Sequence, residues 1–130
     1  EELGGLSVSR FCEAVRAEGV ETCTPGCNLP LHLHPVFTEA DVYGHGRPTR
    51  IANSERDVRQ YKGDLPVSEA FPSRAFAIPW FKHFRKEQIE MYAEAYRKAA
   101  LRYEELLKDD PGNPPLLGKW NTSSVVSPSR

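Results

Sequence analysis

The chain has 130 residues, about one domain's worth, and a formal net charge of −1 from 17 basic and 18 acidic side chains. That balance gives no reason to expect nucleic acid or an anionic membrane as partner, and no apolar run approaches the roughly 20 residues of a spanning helix. The 11 prolines and 9 glycines cluster between two helical stretches and in the tail, so much of the chain is expected to be irregular.

The start, Glu1-Glu2-Leu3-Gly4-Gly5, has neither the basic segment nor the apolar run of a secretory leader. Cys12, Cys23 and Cys27 are an odd set that fits reduced thiols, and a cytoplasmic protein is expected. The first element is a short helix. Ser7 can cap it, Leu6 and Phe11 stand at the positions of a hydrophobic staple, and Val8, Phe11, Cys12 and Val15 make a buried stripe before Gly19 stops it. Arg10, Glu13, Arg16 and Glu18 form its solvated face, and Val20-Glu21-Thr22 is a short strand candidate.

From Cys23 to Gly63 regular patterning breaks down. Cys23 to Pro30 is turn chemistry, and Leu31-His32-Leu33-His34-Pro35-Val36-Phe37 alternates as an exposed edge strand does, with both histidines on one side. The polar run through Asp41–Arg50 and Asn53–Gln60 reads as a loop of more than 20 residues, anchored only by Ile51 and Val58 and ordered by contact with something outside the chain. Leu65 to Phe71 predicts one or two helical turns, with Pro66 near the first position.

The stretch Ala75-Phe76-Ala77-Ile78-Pro79-Trp80-Phe81-Lys82-His83-Phe84 predicts a buried strand, a corner at the proline, and entry into a long helix. Two aromatics, a lysine and a histidine fill the corner, which suits either a large aromatic plug or a ligand-facing rim; the plug, with Trp80 between strand and helix, is the expectation. Ile89, Tyr92, Ala93, Tyr96, Ala99, Ala100, Tyr103, Leu106 and Leu107 hold a packing stripe for five turns, until Asp109-Asp110-Pro111-Gly112 ends it. The remaining tail, with Trp120 isolated, reads as extended, docked or disordered. The fold class is α/β, or α+β as an isolated piece: a sheet of two or three strands packed by an N-terminal helix and a long C-terminal one. So small a sheet cannot cover its own core, which marks the chain as part of something larger.

In order, Arg-Phe-Cys-Glu-Ala-Val-Arg-Ala-Glu-Gly-Val, Leu-Pro-Leu-His-Leu-His-Pro, Leu-Pro-Val-Ser-Glu, Ile-Pro-Trp-Phe-Lys-His-Phe and Glu-Gln-Ile-Glu-Met-Tyr-Ala-Glu-Ala-Tyr-Arg-Lys resemble the C-terminal small domain of the DegT/StrS-type sugar and cyclitol aminotransferases. The resemblance runs from about Ser7 to Leu107 and is greatest to the glutamine:scyllo-inosose branch. It implies residues 1–110 as the small domain of a pyridoxal-phosphate enzyme of fold type I and 111–130 as a tail. It also implies closure over an active site built by an N-terminal large domain and by the partner of a homodimer, with a keto-sugar or keto-cyclitol as substrate. His32 and His34, flanked by Pro30 and Pro35, are the candidates for substrate hydroxyls, with Lys82 and His83 beside them. The family's Schiff-base lysine, the acidic partner of the pyridine nitrogen and the phosphate loop are missing, so this chain is not expected to transaminate alone. Two other classes stay open. Cys23, Cys27, His32 and His34, with His45 further on, offer zinc ligand types at poor spacing, and a small interaction module without chemistry would read the same way.

Overall fold

The computed structural model describes residues 3–26 and 29–115; Cys27, Asn28 and the tail beyond Pro115, including Trp120, lie outside the described residues. It is mixed in class: five α-helices, several 3₁₀ turns and one two-stranded antiparallel sheet among the described residues. These divide into two compact units, one formed by residues 3–26 and 71–115 and the other by residues 29–70.

In the first unit, α1 spans Val8–Ala17. Ser7 caps it, its Oγ accepting from the Arg10 amide at 3.1 Å. The exit is a Schellman turn: Gly19, at φ +98°, donates to the Arg16 carbonyl at 2.9 Å, and Val20 donates to the Val15 carbonyl at 3.3 Å. This overturns the expected strand at Val20–Thr22. Val20 is buried because it is the hydrophobic residue that closes the helix end, and β1 forms only at Thr24–Pro25. There it pairs with β2, Phe76–Ala77, in the register Thr24 to Ala77 and Pro25 to Phe76.

The core holds Phe11, Cys12 and Val15 of α1, Val20 and Cys23 of the turn, and Ala95 and Ala99 of α4, which spans Lys86–Leu101. Two alanines at that contact let the helices approach closely. Tyr92, Tyr96 and Ala100 flank them as the stripe predicts, with Tyr96 stacked on Phe11 and Phe76 at centroid distances of 6.3 and 5.7 Å. The five-turn helix is interrupted at Arg102, after which α5 covers Tyr103–Leu107. Gly4, at φ +63°, faces α5 so closely that a Cβ would stand 3.0 Å from Leu107 Cδ1. The charged face of α1 is tied down in places: Arg10 pairs with Glu13 at 3.2 Å, Glu18 with Lys98 at 2.7 Å, and Arg16 Nη1 donates to the Cys23 carbonyl at 2.8 Å.

The expected buried strand and aromatic plug are both corrected. Phe76 and Ala77 are exposed, Trp80 is 94% exposed and Phe84 82%. With two strands of two residues each, and with Ala95 and Ala99 already closing the core, the strand and the corner are covered only in part: Phe76 packs on Phe11 and Tyr96 and Phe81 on Tyr92, while Trp80 and Phe84 face outward.

The second unit replaces the expected edge strand with helical turns. Leu31–Leu33 is a 3₁₀ turn, and α2 spans Pro35–Thr38 with His34 as its cap. Pro35 decides this, because a proline with fixed φ and no N–H suits a first helical position and not a ladder. The long polar segment carries structure of its own. Asp41 accepts from the amides of His45 and Gly46, Thr49–Ile51 forms a 3₁₀ turn, Arg50 bonds Gln60 at 3.1 Å, and Arg59 reaches the Thr38 carbonyl at 3.3 Å. The helix α3, Pro66–Ala70, begins on its proline as expected.

Candidate functional site

Pro79 ends β2 and the chain turns through Trp80–Arg85 into α4. A cavity of about 450 Å³ opens at this corner, lined by Thr22, Pro79, Trp80, Phe81, Lys82, His83, Arg85, Gln88 and Tyr92. The sequence candidates Lys82 and His83 are therefore brought together, and Arg85 joins them. None of these three side chains has an ion-pair or hydrogen-bond partner among the described residues, whereas Gln88 donates to Tyr92 Oη at 3.1 Å. Arg85 is the N-cap residue of α4, extended at φ −134° and ψ 99°, and no side chain caps the first amides of the helix. Helix-end amides left open in this way favour negative charge.

A wholly apolar groove of about 510 Å³ adjoins the cavity and shares Pro79, Phe81 and Tyr92 with it. Phe11, Phe76, Ile78, Ile89, Tyr96 and Arg97 are among the residues that line the rest of it, with Phe11 and Phe76 rings 5.4 Å apart. Polar donors and exposed aromatic surface thus meet along one rim.

His32 and His34 sit in the second unit, and neither is the exposed imidazole of an edge strand: they are 4% and 7% exposed. His32 Nε2 stands 3.1 Å from Glu69 Oε1, and because a carboxylate only accepts, the proton lies on Nε2. Glu69 also accepts from the Gly63 amide at 2.8 Å and the Leu65 amide at 3.3 Å. The His32 hydrogen bond first, and then the Gly63 amide, hold this carboxyl below its usual range against the opposing effect of burial. His34 Nδ1 accepts from the Val36 amide at 3.2 Å, and its ring meets Phe37 edge-on at 6.4 Å.

Cys23 lies in the core with Cys12, both fully buried and unbridged. Burial, then the Cys23 hydrogen bond, pushes the Cys12 thiol up to about 12. Burial raises the Tyr96 hydroxyl as well, again with Cys23 as neighbour. Among the described residues no group of three or more His, Cys, Asp or Glu is placed to hold a metal.

Sequence reasoning missed Arg85, Gln88 and Glu69. Arg85 was visible in the basic run Lys82-His83-Phe84-Arg85-Lys86, and Glu69 in Leu-Pro-Val-Ser-Glu, but its partner lies 37 residues away. Among the described residues no helix is long and apolar enough to cross a membrane. Compared with protein-family models, curated proteins and solved structures, the chain matches none.

Proposed function

We propose that the chain is the C-terminal, small-domain part of a pyridoxal-phosphate-dependent aminotransferase of the DegT/StrS type, acting on a keto-sugar or keto-cyclitol. The observation that carries the reading is the rim at the head of α4, where a wholly apolar groove adjoins a cavity edged by Lys82 and His83. A large domain seated on the apolar side leaves these donors facing an enclosed space between domains, where polar groups that fix a hydroxylated substrate are expected. Lys82 donates to substrate oxygens, His83 donates or accepts, and the aromatic wall excludes water. The order of motifs from Ser7 to Leu107 supports the same reading, and so does the arrangement of α1 and α4 beside a minimal antiparallel sheet.

Pyridoxal phosphate supplies the electron sink for transamination, and it requires a lysine amine, a carboxylate at the ring nitrogen and a phosphate cup in one place. The cavity's one lysine, Lys82, has no carboxylate among the cavity's lining residues, so this chain does not fit the cofactor by itself. In this reading the cofactor belongs to the large domain, and a homodimer partner completes the site.

The test has two arms. The 130-residue chain mixed with pyridoxal phosphate is expected to give no borohydride-trappable, lysine-linked absorbance. Co-expressed with the large domain of a keto-cyclitol aminotransferase truncated before its own small domain, it is expected to restore transamination of scyllo-inosose. A trapped adduct on the chain alone, or a soluble pair without activity, refutes the reading.

A further inference from the structure

We infer that the apolar groove along α4 is the seat of this chain's own C-terminal segment, residues 116–130, with Leu116, Leu117 and Trp120 as its anchors. This goes beyond the reading above and does not rest on it.

The end of the described chain is delivered to the groove. Asn113 is clamped between two segments: its Oδ1 accepts from the Ser9 amide at 3.1 Å and from the Ser9 hydroxyl at 3.2 Å, and its Nδ2 donates to the Ser73 carbonyl at 3.3 Å. Ser9 comes two positions before Phe11 and Ser73 three before Phe76, the pair whose rings stand 5.4 Å apart in the groove wall. Pro114 and Pro115 follow with φ fixed, so the chain leaves the clamp in a stiff, extended step. The surface waiting there is wholly apolar: Arg97 turns its guanidinium to Glu94 at 2.9 Å and lends only its stem.

Reach and composition select the occupant. The groove follows α4 from Ile89 to Ala100, about 16 Å at 1.5 Å per residue, while Trp120, seven residues past the clamp, can stand up to about 24 Å from it. Leu116 and Leu117 fall between. From Leu116 to Ser129 the one charged side chain is Lys119, so the segment enters an apolar groove at little cost in desolvation. Tethering holds it at an effective concentration of roughly millimolar, which a free partner at micromolar levels has to overcome. A large domain arriving on the same face displaces the segment, which until then keeps the apolar surface from meeting other chains.

The test uses the full 130-residue chain carrying Trp80→Phe, which leaves Trp120 as its only indole. The fluorescence of Trp120 is expected to be blue-shifted and shielded from acrylamide, and to stay so on about hundredfold dilution, as a contact within one chain requires. Ile78→Glu, at a groove position 57% exposed, is expected to abolish the shielding while the far-ultraviolet circular dichroism stays the same. In ¹⁵N spectra the triple change Leu116→Ser, Leu117→Ser and Trp120→Ser is expected to shift the amides of Phe76, Ile78, Ile89 and Ala93 and to leave that of Glu13, on the exposed face of α1, in place. An indole as accessible as in the denatured chain, shielding that survives Ile78→Glu, or groove amides that ignore the triple change each overturn the assignment. Shielding lost on dilution, with a dimer in sedimentation, puts a second copy in the groove and overturns it as well.

Discussion

Ser7 and Asp110 stand 103 positions apart and are joined by two hydrogen bonds, the Ser7 amide to Oδ2 at 2.7 Å and the hydroxyl to Oδ1 at 2.5 Å. The same hydroxyl accepts from the Arg10 amide, so one buried serine caps α1 and anchors the chain beyond α5. Ser7→Ala removes the cap and one of the hydrogen bonds to the Asp110 carboxylate, leaving those from the residue 7 and Gly112 amides. It is expected to cost about 1–2 kcal/mol by denaturant titration, while Ser7→Thr, which keeps the hydroxyl, is expected to retain most of the stability.

Asp110 gives that contact a pH dependence. Burial raises its carboxyl, but the Ser7 hydroxyl and amide and the Gly112 amide outweigh it and leave the group below its ordinary value. A depressed carboxyl contributes stability that is complete above its unfolded value, about 3.9, and is lost as pH falls through the folded value. Thermal melts between pH 6 and pH 2 should show a steeper fall for the native chain than for Asp110→Asn. Parallel curves would refute this.

Trp80→Ala is expected to change stability by no more than about 0.5 kcal/mol, since the indole is exposed. Val15→Ala, at a fully buried position, is expected to cost about 2–3 kcal/mol. Guanidinium melts of the two variants side by side distinguish them, and a larger loss for Trp80→Ala would contradict the structure.

Glu69 gathers His32, Gly63 and Leu65. Glu69→Gln weakens all three interactions without removing volume, so the Gly63 and Leu65 amides are expected to exchange with deuterium about tenfold faster, the scale of hydrogen bonds to a charged acceptor. The amides of α4 should be unaffected. Equal acceleration in both places would mean that Glu69 supports the whole chain.

The core thiols should be inert. With Cys12 pushed up to about 12 and both Cys12 and Cys23 fully buried, iodoacetamide is expected to alkylate them more than about 100-fold slower in the native protein than after denaturation, as read by peptide mass spectrometry.

What the sequence makes legible here is short in range. Ser7 as a cap, Gly19 as a stop, Pro66 as a helix start and the stripe from Tyr92 to Ala100 are all set by neighbours within a turn or two, and the structure places them as expected. Trp80 and the two histidines were misjudged because burial depends on what arrives from elsewhere. An indole is core only where something covers it, and His32 is buried with its ring bonded to Glu69, 37 positions away. The alternation at residues 31–37 mimicked a strand, but Pro30 and Pro35 had already set its backbone.

The ladder of β1 and β2 also sets how this chain can be cut and joined. Gly26 donates to the Ala75 carbonyl at 2.8 Å, and its Cβ position lies 3.5 Å from the Pro72 carbonyl oxygen. The first unit therefore departs and resumes at nearly the same point in space, and residues 29–70 are topologically an insertion into it. Closing a loop costs an entropy that grows only with the logarithm of its length. Such an insertion can lengthen, shorten or be exchanged for a brief Gly-Ser bridge while the helix pair that accepts it keeps its fold. New specificities can then be grafted at this seam without redesign of the core.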